Sequence, residues 1–175
     1  FSIAVLIIGT DQTQKPSPTT LEDLVGKPGP DFSLKSYDGK SFTLSQLQGR
    51  KVILFFNEGI ICYPACWNQV AALGTDSRLN NEQVITLSIV PDNADQWQEA
   101  IKRMPELGKE VILLDQTKEV SEKYGMLSLP SSMHKGQKPG HTYVVIDQNG
   151  IVRSTLDDPT MGIQNDKLIK ELNKI

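Results

Sequence analysis

A run of apolar residues, Val52-Ile-Leu-Phe-Phe56, gives way to a turn and then to the only two cysteines in the chain. Such an unbroken run of β-branched and aromatic residues reads as a strand buried on both faces. Asn57-Glu58-Gly59 is a turn signal. Cys62 and Cys66 follow, and Val70 and Leu73 belong to a helical pattern that runs to about Leu79. The cysteines therefore stand where a buried strand hands over to a helix N-terminus. The unsatisfied N–H groups there carry partial positive charge, which stabilises a thiolate, the reactive form of cysteine. A first cysteine in the lead-in and a second one turn later can also close on each other as a disulfide. A disulfide across so short a loop restricts little chain entropy and stabilises weakly. Redox or metal chemistry thus explains the pair better than a structural staple does.

The 175 residues suit one domain with a core large enough to fold without staples. The net charge of −3 and the absence of a basic patch interleaved with aromatics exclude nucleic acid as a partner. Residues 1–9, Phe-Ser-Ile-Ala-Val-Leu-Ile-Ile-Gly, are mostly apolar but fewer than the ~20 that a bilayer-spanning helix needs. They read as an anchor remnant or as a packing strand. Residues 10–20 are polar and proline-bearing, a linker composition. With a domain over 21–175, this order suggests an extracytoplasmic protein tethered to the membrane at its N-terminus. It also suits an accessory subunit of a membrane or surface assembly.

Along the domain, Leu21 to Gly29 reads as a short helical turn ended by Gly26 and Pro28. Pro30–Leu34 and Ser41–Leu44 alternate around Asp38-Gly39 and form a hairpin. Ser45 caps a single turn before Gly49. Gln83–Val90 is a second buried strand, Pro91–Asp95 starts a helix that runs to about Met104 with Trp97 inward, and Val111–Leu114 is a third strand. A short helix over Val120–Tyr124 precedes a loop from Leu129 to Pro139. His141–Asp147 and Ile151–Thr155 form a second hairpin around Asn149-Gly150, and Gln164–Ile175 closes as an amphipathic helix. Strands alternating with helices demand parallel crossovers, and the late hairpin adds antiparallel strands. The predicted class is α/β with a mixed sheet. Reaction sites in such sheets lie off the strand C-terminal ends, where the cysteines are.

Several stretches resemble the thioredoxin-like superfamily, specifically the alkyl hydroperoxide reductase/thiol-specific antioxidant redoxins. They are Val25-Gly-Lys-Pro-Gly-Pro-Asp-Phe-Ser-Leu34, Asp38-Gly-Lys40, Leu44-Ser-Gln-Leu47 and Thr142-Tyr-Val-Val-Ile-Asp-Gln-Asn-Gly-Ile-Val152. The resemblance implies a central mixed sheet flanked by helices, with an N-terminal β-hairpin. It also implies a thiol–disulfide oxidoreductase or peroxiredoxin-like enzyme acting on a thiol or disulfide partner protein or on peroxide, with no cofactor. Cys62 is the expected attacking thiolate and Cys66 the resolving one, with Glu58 as a proton acceptor. Peroxiredoxins carry Thr or Ser three residues before the peroxidatic cysteine and Pro seven before. Counted from Cys62 these positions hold Gly59 and Phe55; counted from Cys66 they hold Tyr63 and Gly59. Gly140-His141 stands where those enzymes have an arginine. Thioredoxin-type reductases use C-x-x-C, one residue shorter than the C-x-x-x-C here. The Sco-type copper chaperones share that longer spacing and a histidine before the late strand. That likeness implies a copper alternative held by Cys62, Cys66 and His141, with His134 as a substitute ligand. Trp67, directly after Cys66, is expected to pack over the disulfide.

Overall fold

The computed structural model describes residues 20–175. The expected apolar anchor or packing strand and most of the linker lie outside the described residues. The first element is a single helical turn, α1 (Leu21–Leu24). Thr20 and Asp23 close a capping box on it, and Gly26 leaves it at φ +82. A two-stranded hairpin follows, β1 (Ser33–Lys35) against β2 (Ser41–Thr43). The 3₁₀ turn after it is capped from a distance: Asp31 Oδ1 accepts the Ser45 amide at 2.9 Å. Asp31 thus takes the role that the sequence reading gave to Ser45.

The main sheet has five strands in the order β5-β4-β3-β6-β7. These are β3 (Lys51–Phe56), β4 (Val84–Val90), β5 (Val111–Leu114), β6 (Thr142–Ile146) and β7 (Val152–Asp157). β3, β4 and β5 run parallel, while β6 pairs antiparallel with β3 and β7 antiparallel with β6. The crossovers are α2 (Ala65–Thr75) and α3 (Ala94–Arg103); α4 (Glu119–Lys123) and α5 (Asn165–Leu172) complete the layers. This is the mixed α/β architecture that the sequence implies.

Period-two alternation divides the core in two. Ile53, Phe55, Tyr143 and Val145 face a cluster with Trp67, Val70 and Leu73 of α2, Trp97 of α3 and Leu168 of α5. Leu54, Phe56, Leu87, Ile89, Val144 and Ile146 face Leu24, Leu44, Val120 and Tyr124 on the other side. Every residue of β3 from Val52 to Phe56 is buried, as an apolar run sandwiched between layers must be.

Two details depart from the sequence pattern. α2 stops at Thr75 rather than near Leu79. Thr75 Oγ1 turns back to donate to the Ala71 carbonyl, and Asp76 takes the Arg78 guanidinium. Leu79 is still fully buried, but from the turn beyond the helix. The second departure is inside β4, where Thr86 and Ser88 point into the core. Their hydroxyls donate to the Glu110 carboxyl at 2.7 and 3.1 Å. Burial pushes the Glu110 pKa up to about 8, against those two hydrogen bonds. No helix among the described residues is long and apolar enough to cross a membrane.

Candidate active site

Sheet register brings the site together. Phe56 at the end of β3 pairs with Thr142 at the start of β6. The residues just beyond, the Asn57–Gly59 turn and His141, therefore share the C-terminal edge of β3. Cys62 lies in the non-helical lead-in and Cys66 in the first turn of α2, with Cα atoms 5.3 Å apart in a disulfide. Both are buried, Cys62 3% and Cys66 0% exposed. No acidic residue stands in the first turn of α2 and no side chain caps it. Its positive terminus therefore acts on Cys66 without local neutralisation.

The turn feeding Cys62 is fixed by two buried side chains. Asn57 Oδ1 accepts the Gly59 amide at 2.9 Å, and Asp92 Oδ2 accepts the Ile60 amide at 2.9 Å. Gly59 has φ +74, and a Cβ there would stand 1.7 Å from Asp92 Oδ2. Only glycine satisfies both restrictions. Burial raises the Asp92 pKa, partly offset by the Ile60 amide and by the charge of Lys138.

Glu58 is fully buried. Its Oε1 accepts the Met133 amide at 2.6 Å and the His134 amide at 3.2 Å; its Oε2 lies 3.0 Å from His134 Nδ1. These bonds fasten the loop before β6 to the cysteine turn. Glu58 makes none to a cysteine, so its carboxylate acts here as a latch. His134 is held by Glu58 and is half-exposed.

His141 is wholly buried, with Nδ1 3.7 Å from Cys66 Sγ and Nε2 2.9 Å from the Tyr143 hydroxyl. The Phe55 ring meets it edge-on at 4.7 Å and stacks on Tyr143 at 4.6 Å. Burial drives the His141 pKa down to about 4, against the pull of Asp158, the Gly162 backbone and Asp157. The imidazole is therefore neutral near pH 7. Its backbone is pinned as well: the His141 amide donates to Ser131 Oγ at 2.7 Å, and its carbonyl accepts the Asp158 amide at 2.9 Å. Asp157 holds both Ser131 Oγ and Thr142 Oγ1. A Cβ at Gly140 would stand 2.0 Å from Ser131 Oγ, which explains the glycine before His141.

The structure thus joins Cys62, Cys66 and His141 and sets Glu58 and His134 apart as a neighbouring latch. Two sulfurs bonded to each other are not free ligands. Among the described residues no group of three or more His, Cys, Asp or Glu is placed to hold a metal ion. Tyr143, Ser131, Asp157 and Asp92 were missed by sequence reasoning. Tyr143 was findable, because residues two apart on a strand share a face. Trp67 packs against Tyr63 and Trp97, with centroids 5.1 and 6.5 Å away.

A family model described as Redoxin matches residues 24–162. The chain belongs to the redoxin family. Among curated relatives of this redoxin is the chloroplastic peroxiredoxin Q of Oryza sativa subsp. japonica, 27% identical over 158 residues. That match covers 86% of this chain, which spans only 65% of the rice protein's length. Peroxiredoxin Bcp of Escherichia coli (strain K12) is 27% identical over 135 residues, 76% of this chain and 85% of Bcp. Among solved structures, the reduced 2-Cys peroxiredoxin of Plasmodium vivax superposes with a TM-score of 0.71 at 23% identity. It covers 86% of this chain and 80% of its own. Peroxidoxin BcpB of Mycobacterium tuberculosis gives 0.70 at 19% identity, over 86% of this chain and 97% of its own. At those identities the structures establish the thioredoxin-like fold.

Proposed function

We propose that this redoxin is a peroxiredoxin-like thiol oxidoreductase that cycles Cys62 and Cys66 between dithiol and disulfide. The observation that carries the reading is the closed Cys62–Cys66 pair at the C-terminal edge of β3, with Cys66 in the first turn of α2. In the reducing direction an external thiolate bonds to one sulfur of the pair and the other leaves as a thiolate. A second thiolate then attacks the external sulfur of that mixed disulfide, releasing the dithiol protein and an external disulfide. In the oxidising direction, attack on a peroxide leaves a sulfenic acid on one cysteine and releases water or an alcohol. The second thiol displaces water from the sulfenic acid and closes the bond.

The peroxiredoxin names of the relatives favour peroxide as oxidant. The geometry around Cys62 favours disulfides. The position three residues before it is Gly59, where Asp92 leaves no room for a hydroxyl-bearing side chain. A peroxide there lacks that orienting donor. Ile61 and Tyr63, on either side of Cys62, are 49% and 69% exposed, an apolar approach suited to a partner protein. Stopped-flow Trp fluorescence of the reduced protein mixed with peroxide, and separately with an oxidised partner dithiol, tests the reading. Closure of the pair by either oxidant supports it, and their relative rates name the substrate; closure by neither overturns it.

For the full chain, the apolar residues 1–9 and polar residues 10–20 support an extracytoplasmic site with attachment to the membrane, alone or within a larger assembly. Recovery of the full-length protein in a detergent-free soluble fraction contradicts that placement.

A further inference from the structure

We propose that His141 is a catalytic hydrogen-bond donor to Cys66, that Tyr143 positions it, and that Cys66 is therefore the leaving sulfur and Cys62 the one attacked. The inference deepens the functional reading above and rests on it, since it concerns the same disulfide.

The partners decide which nitrogen carries the proton. His141 Nδ1 faces Cys66 Sγ at 3.7 Å, and a disulfide sulfur has no hydrogen to offer. Nδ1 therefore has a partner only if it is the protonated nitrogen. Nε2 is then a bare acceptor, and the Tyr143 hydroxyl at 2.9 Å donates to it. The opposite tautomer would leave Nδ1 without a donor. It would also leave the Tyr143 O–H without an acceptor, because that hydroxyl has no other partner among the described residues. In a buried site each such loss is costly. Phe55, stacked on Tyr143 and edge-on to His141, holds both rings in place.

The chemistry follows from that orientation. An incoming thiolate forms a bond to Cys62 Sγ. The Cys62–Cys66 bond breaks, and its electron pair stays on Cys66 Sγ. The Nδ1–H donates a hydrogen bond to the new thiolate and keeps its proton, so no imidazolate is required. The field of the α2 N-terminus acts in the same direction. Asp157 and Asp158 are the negative groups that act on His141, together with the Gly162 backbone, and their carboxylates accept hydrogen bonds from Ser131, Thr142 and Thr160. A stabilised thiolate leaves faster. Departure at the other sulfur would lack this donor, so the two ends of the disulfide are unequal.

Single-cysteine variants read this directly through the ultraviolet absorbance of the thiolate. In Cys62→Ser, where Cys66 is the remaining thiol, adding His141→Ala should raise the Cys66 pKa by at least about one pH unit. Tyr143→Phe keeps the ring and frees Nε2, so it should raise the Cys66 pKa by a smaller amount. In Cys66→Ser the same substitutions should leave Cys62 almost unmoved. An unchanged Cys66 pKa, or an equal shift at Cys62, overturns the proposal. If His141→Ala does not fold, Tyr143→Phe carries the same decision. These titrations need no turnover. A protein inert toward external thiols would sink the functional reading while leaving the donor test to stand or fall by itself.

Discussion

Asp92 Oδ2 occupies the space that a side chain on Gly59 would need. The same oxygen accepts the Ile60 amide, so the carboxylate shapes the turn that delivers Cys62. Gly59→Ala must relieve both a left-handed backbone angle and a clash that puts its Cβ 1.7 Å from Asp92 Oδ2. We expect a loss of roughly 2–4 kcal/mol in denaturant unfolding and a displaced Cys62, seen as slower closure of the disulfide. A variant as stable as the parent would show that Asp92 moves freely.

The buried Glu110 makes stability depend on pH. Folded, its carboxyl keeps a proton until about pH 8; unfolded, it ionises near its ordinary 4.5. Between those values the folded state binds more protons, so stability is full below about 4.5 and falls as pH rises toward 8. The span should be on the order of a few kcal/mol. Glu110→Gln keeps an acceptor for Thr86 and Ser88 and should flatten the profile. Chemical denaturation across that range in parent and variant checks this, and an unchanged slope contradicts it.

Glu58 ties the loop before β6 to the cysteine turn through the Met133 and His134 amides. Glu58→Ala should cost roughly 2–3 kcal/mol and speed hydrogen exchange selectively at residues 132–136. Exchange that rises evenly across the domain, or nowhere, would show that the loop does not depend on this latch.

Phe55 is completely buried between β4 and β6 and touches both His141 and Tyr143. Phe55→Ala should destabilise the domain by about 3–5 kcal/mol. Phe55→Leu should cost far less stability yet loosen the ring pair beside Cys66. The check is a thermal melt beside the rate of disulfide reduction by a small dithiol. Equal rates in Phe55→Leu and parent would separate the rings from the chemistry.

The sequence made the cysteine turn legible because the whole signal is local: Val52–Phe56, the Asn57–Gly59 break and the helix beginning at Cys66 are contiguous. The late hairpin was legible for the same reason, from Asn149-Gly150 between two apolar runs. Partnerships across the sheet were not. Thr86 and Ser88 look out of place in a buried strand until Glu110 arrives from a segment whose spacing to them carries no pattern. His141 could be suspected, but its distance from Cys66 depends on the Phe56–Thr142 register, which long-range pairing sets. The anchoring role of Glu58 was not legible because its partners, the amides of Met133 and His134, lie in a loop with no periodicity. Asp157 and Asp158 hold the strand edge that presents His141, through partners that no local pattern announces.

The most direct test of the central claim is a redox titration of the folded protein in dithiol–disulfide buffers, with free thiols trapped and weighed by mass spectrometry. Trp67 and Trp97 fluorescence should be followed in parallel. We expect Cys62 and Cys66 to appear and disappear together as one reversible two-electron couple. The fluorescence should track the trapped fraction while the domain remains folded. A disulfide that resists reduction until the protein unfolds would make Cys62–Cys66 a staple and contradict the account.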